Sequence, residues 1–290
     1  MPASDSSRYP RFRRHRRSRM TTPYDRHLAL WNLSADGAPI HTHSSDLLPV
    51  RHEGRPAMLK IAREAEEKRG GLLMNWWDGD GAARVYADDG EGALLLERAC
   101  GPRSLVQMAR NGQDEEATRV LCGAIARLHA PRPQPPPDGL AGLREWFADL
   151  PVYAASHGGV LRRCWEVAQE LLDDPREVVP LHGDIHHENV LDAGPQRGWI
   201  AIDPKRVMGE RGFDYANLFT DPDGETALAP GNFERRLAVV CEHARIERRR
   251  MLQWIVAFQG LSAAWFLSDA EQPDKEFAII GKALNELDRV

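Results

Sequence analysis

His182, Asp184, Asn189 and Asp203 fall within 22 residues, and their types suit one kind of chemistry. Asn189 follows Asp184 by five positions, and Asp203 comes fourteen later, closing the apolar run 198–202. An Asp and an Asn on one short loop, with a second Asp at a strand end, gather two carboxylates and an amide oxygen around one point. Hard divalent cations such as Mg²⁺ take oxygen donors of this sort, keep several waters and bridge to phosphates. An aspartate left off the cation can orient an attacking hydroxyl and accept its proton.

Taken singly, each residue also reads as a turn or cap, positions that Asp and Asn favour. The joint pattern, with apolar strand residues on both sides, fits that reading poorly. A rival is a transition metal held by His182, His186, His187 and Glu188. It has two His at i, i+4 but no H-E-x-x-H and no distant further ligand.

The elements that must position these residues follow from the hydrophobic patterning. Ala29 to Leu33 reads as a strand leading into a Ser-Ala-Asp-Gly turn, and 47–51 with 57–61 as a hairpin around His52-Glu53-Gly54-Arg55. Residues 62–76 switch to helical spacing, and strands follow at 83–87 and 92–97, parted by Asp88-Asp89-Gly90. Helices are expected at 114–130, 142–149 and 158–173, with a proline-rich connector at 131–137. The strand 178–181 leads into the His182–Leu191 segment, and 213–290 reads as mostly helical. The division is an Arg-rich tail over 1–22, a β-rich part over 23–98 and a larger helical part over 99–290.

Of 290 residues, 38 are Lys or Arg and 43 Asp or Glu, a net charge of −5 that hides an asymmetry. Residues 1–20 hold seven Arg and one acid, so the remaining 31 bases and 42 acids leave a body of −11. An acidic body disfavours nucleic acid and suits a cationic small molecule. The four cysteines show no C-x-x-C, which fits a reducing, cytoplasmic setting. The apolar stretch 254–267 is interrupted by Gln259, Gly260 and Ser262 and reads as a buried helix, with no membrane partner expected. The tail lacks the apolar segment of a secretory signal, despite its paired arginines.

LHGDIHHENVL, GWIAIDP, ERGFDYANLF and LSAAW together resemble the aminoglycoside phosphotransferase superfamily, and more narrowly its streptomycin 6-kinase and hydroxyurea phosphotransferase family. The similarity runs from about residue 40 to the C-terminus. It implies an α+β, protein-kinase-like fold of two lobes: a small antiparallel-sheet lobe and a larger helical one. It implies transfer of the γ-phosphoryl group of ATP, with GTP left open, to a small-molecule hydroxyl. Carried over by residue, Asp184 resembles the catalytic base, His182 the loop's buttress, and Asn189 and Asp203 the Mg²⁺ ligands. Lys60, ending Ala57-Met58-Leu59-Lys60, resembles the strand lysine that holds the α- and β-phosphates. Glu64, Glu66 and Glu67 are candidates for its carboxylate partner, and Glu67 is favoured. Leu95 to Ala99, including Glu97, resembles the hinge that pairs with adenine through main-chain groups. No G-x-G-x-x-G precedes Lys60; the expected phosphate loop reads His41 to Asp46, with Ser44 and Ser45 as its contacts. Asp203-Pro204-Lys205 stands where protein kinases carry Asp-Phe-Gly.

A streptomycin-like acceptor carries two guanidinium groups, so its site needs carboxylates and aromatic faces near Asp184. Asp214, Trp265, Asp269 and Glu271 are the expected acceptor residues, Trp265 and Asp269 sharing a helix face at i, i+4. Hydroxyurea or a host metabolite are alternative acceptors. An inactive nucleotide-binding protein is the alternative of another class, against which stands the presence of all four key residues.

Overall fold

The computed structural model describes residues 22–63 and 71–289. The Arg-rich residues 1–21, and with them Glu64, Glu66 and Glu67, lie outside the described residues. The first layer is an antiparallel sheet in which the strands Ser34–Ala35, Ser45–His52, Arg55–Ala62, Ala93–Glu97 and Val85–Asp88 lie in that spatial order, Ile40–His41 pairing with Ser45–His52. Its central hairpin turns at Glu53 and Gly54, both at positive φ (50° and 77°), the turn whose twist matches the strands it joins. Strand alternation then sorts the side chains. Ala57 and Leu59 are fully buried on one face, while Met58 and Lys60 point to a cleft on the other.

The strand expected at 29–33 is instead preceded by a helix, Asp25–Leu30, that reaches into it. Tyr24, His27, Leu28 and Trp31 recur at helical spacing, and Tyr24, Leu28 and Trp31 pack on Leu48, Val50, Leu59 and Leu95 to cover the sheet. The helical run expected over 62–76 is the helix Gly71–Trp77, with the strand before it running on to Ala62. The run 142–149 breaks at Phe147 into two short helices, Leu143–Trp146 and the start of Asp149–His157.

Beyond the sheet the chain is mainly helical, as a protein-kinase-like, two-lobed α+β fold requires. The long helices include Asp114–Leu128, Gly159–Asp173, Asn232–Ala244, Arg248–Ser268 and Asp274–Leu287. Gly159–Asp173 is typical: Leu161, Cys164, Val167, Ala168 and Leu171 are buried along one stripe. Phe213 joins several of them, packing against Phe147, Trp254 and Phe258 with ring centroids 6.0, 6.2 and 4.9 Å away. Arg248–Ser268 is long and apolar enough to cross a membrane by length and composition alone, but two-thirds of its apolar stretch is buried inside the fold. Two small sheets complete the frame. Val190–Asp192 pairs with Trp199–Ala201, and Val207–Glu210 lies between Ala141–Gly142 and Val178–Leu181.

Candidate active site

The segment 182–189 is the loop between the strands Val178–Leu181 and Val190–Asp192, so both its ends are fixed by sheet hydrogen bonds. At its start Gly183 takes φ 82°, and a Cβ there would stand 3.0 Å from Lys205 Cβ and from Val207 Cγ2; only glycine fits. Asp214 holds this turn from below. Its carboxylate accepts the amide protons of His182 and Gly183, each at 2.8 Å, and a third hydrogen bond at 2.8 Å from His129 Nε2. Burial alone would push this carboxyl up, but the His129 contact and the loop amide keep it below the ordinary range. His182 is fully buried, stacks on Trp77 and donates through Nε2 to the Ile202 carbonyl at 2.8 Å. Burial lowers its pKa to about 4, so the ring is a neutral prop. His187 is buried as well, and desolvation lowers it to about 3.

Asp184 projects from this turn. Its side chain is 42% exposed, yet it sits deep enough in the cleft that lost hydration pushes its pKa up, against the pull of His186 and Lys205. Asn189 donates from Nδ2 to the Asp184 carbonyl at 2.8 Å, which leaves Oδ1 as its remaining acceptor. The Asn189 carbonyl accepts the Ile202 amide at 2.9 Å and so brings Asn189 beside Asp203. Asp203, at φ 63°, meets the Lys60 ammonium through Oδ1. Lys60 is 7% exposed, a degree of burial that a lysine seldom reaches without charge pairing.

Two cavities meet here. The first, about 210 Å³, is roofed by Leu47, Met58, Leu94 and Leu96 and floored by Leu191 and Ile202, with Ser45, Lys60 and Asp203 at one end and Glu97 and Ala99 at another. The second, about 590 Å³, is lined by Asp184, Gly183, Glu145, Trp146, Asp149 and Trp265. Pro204 lines both, so Asp184 and Asp203 stand on opposite sides of a shared wall. An apolar slot ending in a lysine and a carboxylate suits a nucleotide, and a carboxylate in the adjoining cavity suits a proton acceptor.

Residues 30–270 match the family described as Aminoglycoside/hydroxyurea antibiotic resistance kinase. The chain belongs to that kinase family. It is 54% identical over 244 residues to a streptomycin 3''-kinase of Klebsiella pneumoniae, covering 82% of this chain and 90% of that one. It is 33% identical over 255 residues to a streptomycin 6-kinase of Streptomyces griseus, with 82% and 80% covered. In fold it is similar to a thermostable mutant of an aminoglycoside phosphotransferase solved with AMP-PNP and hygromycin B. That match has a TM-score of 0.59 at 14% identity and covers 93% of this chain and 97% of the other. Family membership makes this chain a phosphotransferase of the antibiotic-resistance class.

In this kinase several expected site residues sit elsewhere. Asp214 cannot meet an acceptor: it is 1% exposed, and both its oxygens are taken by the loop it supports. Asp269 and Glu271 are exposed beyond the end of Arg248–Ser268 and do not line the cavity. The helix stops one residue short of Asp269, whose amide folds back to the Trp265 and Phe266 carbonyls, so the shared-face argument fails at the helix end. Trp265 does line the cavity, edge-on to Trp146 with centroids 6.0 Å apart at 85°. Ser44 does not line the nucleotide cavity, because strand alternation turns Ser45 inward. Glu97 lines it, but its carboxylate is held by Arg197 at 2.8 and 2.9 Å. Sequence reasoning missed Thr42 beside Ser45, and Glu145, Trp146 and Asp149 in the second cavity. Two acids four apart around a Trp, in Glu145-Trp146-Phe147-Ala148-Asp149, were the available signal. Among the described residues no group of three His, Cys, Asp or Glu side chains is placed to hold a metal, which removes the His182–His186–His187–Glu188 reading.

Proposed function

We propose that this kinase transfers the γ-phosphoryl group of ATP to a hydroxyl of a streptomycin-like aminoglycoside. The observation that carries the reading is the shared wall: Asp184 faces a roomy second cavity while Lys60 and Asp203 close the apolar slot beside it. The adenine lies among Met58, Leu94, Leu96, Leu191 and Ile202, with the main chain of Glu97 to Ala99 as its hydrogen-bonding edge. Lys60 holds the α- and β-phosphates, and Ser45, whose buried hydroxyl has no protein partner, faces the phosphates. Asn189 Oδ1 and the Asp203 carboxylate form the hard oxygen set that fits Mg²⁺, which when bound supplies neutralisation of phosphate charge. Asp184 aligns the acceptor hydroxyl and takes its proton as the new O–P bond forms and the bond to ADP breaks. His182 keeps that loop in place. Positioning and charge stabilisation supply nearly all of the rate in such chemistry.

The lobe boundary falls near residue 98 in this reading, with 23–98 binding nucleotide and 99–290 carrying catalysis and the acceptor. The high identity to a streptomycin 3''-kinase over most of both chains favours the 3'' hydroxyl over the 6 hydroxyl as the target. A cavity of about 590 Å³ is far larger than hydroxyurea needs. ADP release measured over a panel of aminoglycosides, hydroxyurea and simple polyols tests the reading. Turnover with streptomycin above the others supports it, and turnover with hydroxyurea alone would replace it.

A further inference from the structure

We propose that Glu145 and Asp149, with Trp146 and Trp265 between them, clamp the guanidinium groups of the acceptor and hold its guanidinylated ring away from Asp184. The inference rests on the second cavity being the acceptor site. Glu145 and Asp149 come from consecutive helices, Leu143–Trp146 and Asp149–His157, four residues apart, and both are exposed in the cavity wall. Neither carboxylate has a side-chain partner among the described residues, whereas the neighbouring acid Asp173 is paired with Arg144 at 2.6 Å. Between these acids the two indoles meet edge to face, so one presents a ring face to the space that the other borders. The Trp146 indole N–H is buried and finds no acceptor in the protein. A guanidinium is planar and weakly hydrated; it stacks on aromatic faces and takes carboxylates two bonds at a time, which a compact ammonium does less well.

The opposite wall carries the other sign. Lys205 donates its amide to the His182 carbonyl at 2.7 Å, packs against Gly183 and is among the main charges acting on Asp184; Glu145 and Asp149 are not. Arg206 lines the cavity beside it. Cationic groups are therefore drawn to the Glu145–Asp149 side and repelled from the side where the phosphoryl group arrives. Streptomycin carries both guanidiniums on one ring, so the hydroxyl at Asp184 belongs to a different ring.

Streptidine, the diguanidino ring alone, is the probe. Calorimetric titration into the full chain loaded with AMP-PNP and Mg²⁺ should show binding that Glu145→Gln and Asp149→Asn each weaken about tenfold, as loss of one charge-assisted contact implies, while AMP-PNP affinity holds. Both changes are isosteric and exposed, so the fold is retained. NMR of phosphorylated streptomycin should place the phosphate off the guanidinylated ring. No streptidine binding by the native enzyme, equal binding by the variants, or phosphate on the guanidinylated ring would each overturn the clamp. Failure of streptomycin to release ADP would instead defeat the acceptor reading, and the streptidine titration would still decide the clamp.

Discussion

The Gly183 amide donates to Asp214 Oδ1 at 2.8 Å across 31 residues of chain, and this bond fixes the turn from which Asp184 projects. The same carboxylate binds the His182 amide and the His129 ring, so one buried charge ties the loop to two helices. Asp214→Ala removes the charge and strands three donors. Breaking a buried, hydrogen-bonded charge network costs about 3–5 kcal/mol. We expect a Tm drop on the order of 10 °C in this size class and a kcat that falls with it. Unchanged melting would show that the loop holds its turn without Asp214.

Asp203 and Lys60 predict a different phenotype. Asp203→Ala should weaken Mg·ATP binding about tenfold or more, equivalent to one lost charge-assisted contact, while melting in the absence of nucleotide changes little. Calorimetric titration separates the two. Unaltered affinity for Mg·ATP would make the Lys60–Asp203 pair purely structural.

His182 and His187 set a pH dependence of stability. Both titrate lower in the fold, at about 4 and about 3, than the ordinary value of 6.5, because burial disfavours the charged ring. The unfolded chain therefore takes up protons first as pH falls. Their contribution is complete above pH 6.5, declines below it and is gone once pH has passed through the folded values. Thermal melts between pH 7.5 and 4.5 should show Tm falling with pH, and His187→Asn should flatten the slope. A slope identical in the variant would move the effect to other groups.

The catalytic loop was legible because it is local: Asp184, Asn189 and Asp203 lie within one strand–loop–hairpin unit, and the spacing alone brings them to one point. The strand ending at Lys60 was legible from its alternation and the Glu53-Gly54 turn. The acceptor wall was not. Glu145 and Asp149 reach Asp184 only through the packing of two short helices, which no spacing within the loop encodes. Asp214 was misread for a related reason. Sequence displays an acid beside aromatic residues, but not that backbone amides 31 residues upstream consume both its oxygens. At the N-terminal end a five-residue apolar run outweighed the weaker helical spacing of Tyr24, His27, Leu28 and Trp31.

The central claim, phosphoryl transfer with Asp184 as the proton acceptor, is met most directly by mass spectrometry of streptomycin incubated with ATP, Mg²⁺ and either the native enzyme or Asp184→Asn. The native enzyme should give phosphorylated streptomycin. The variant should fold and bind ATP as before but turn over slower by about 10²-fold or more, the usual contribution of a positioned base. Phosphorylated product formed by the variant at the native rate would contradict the account.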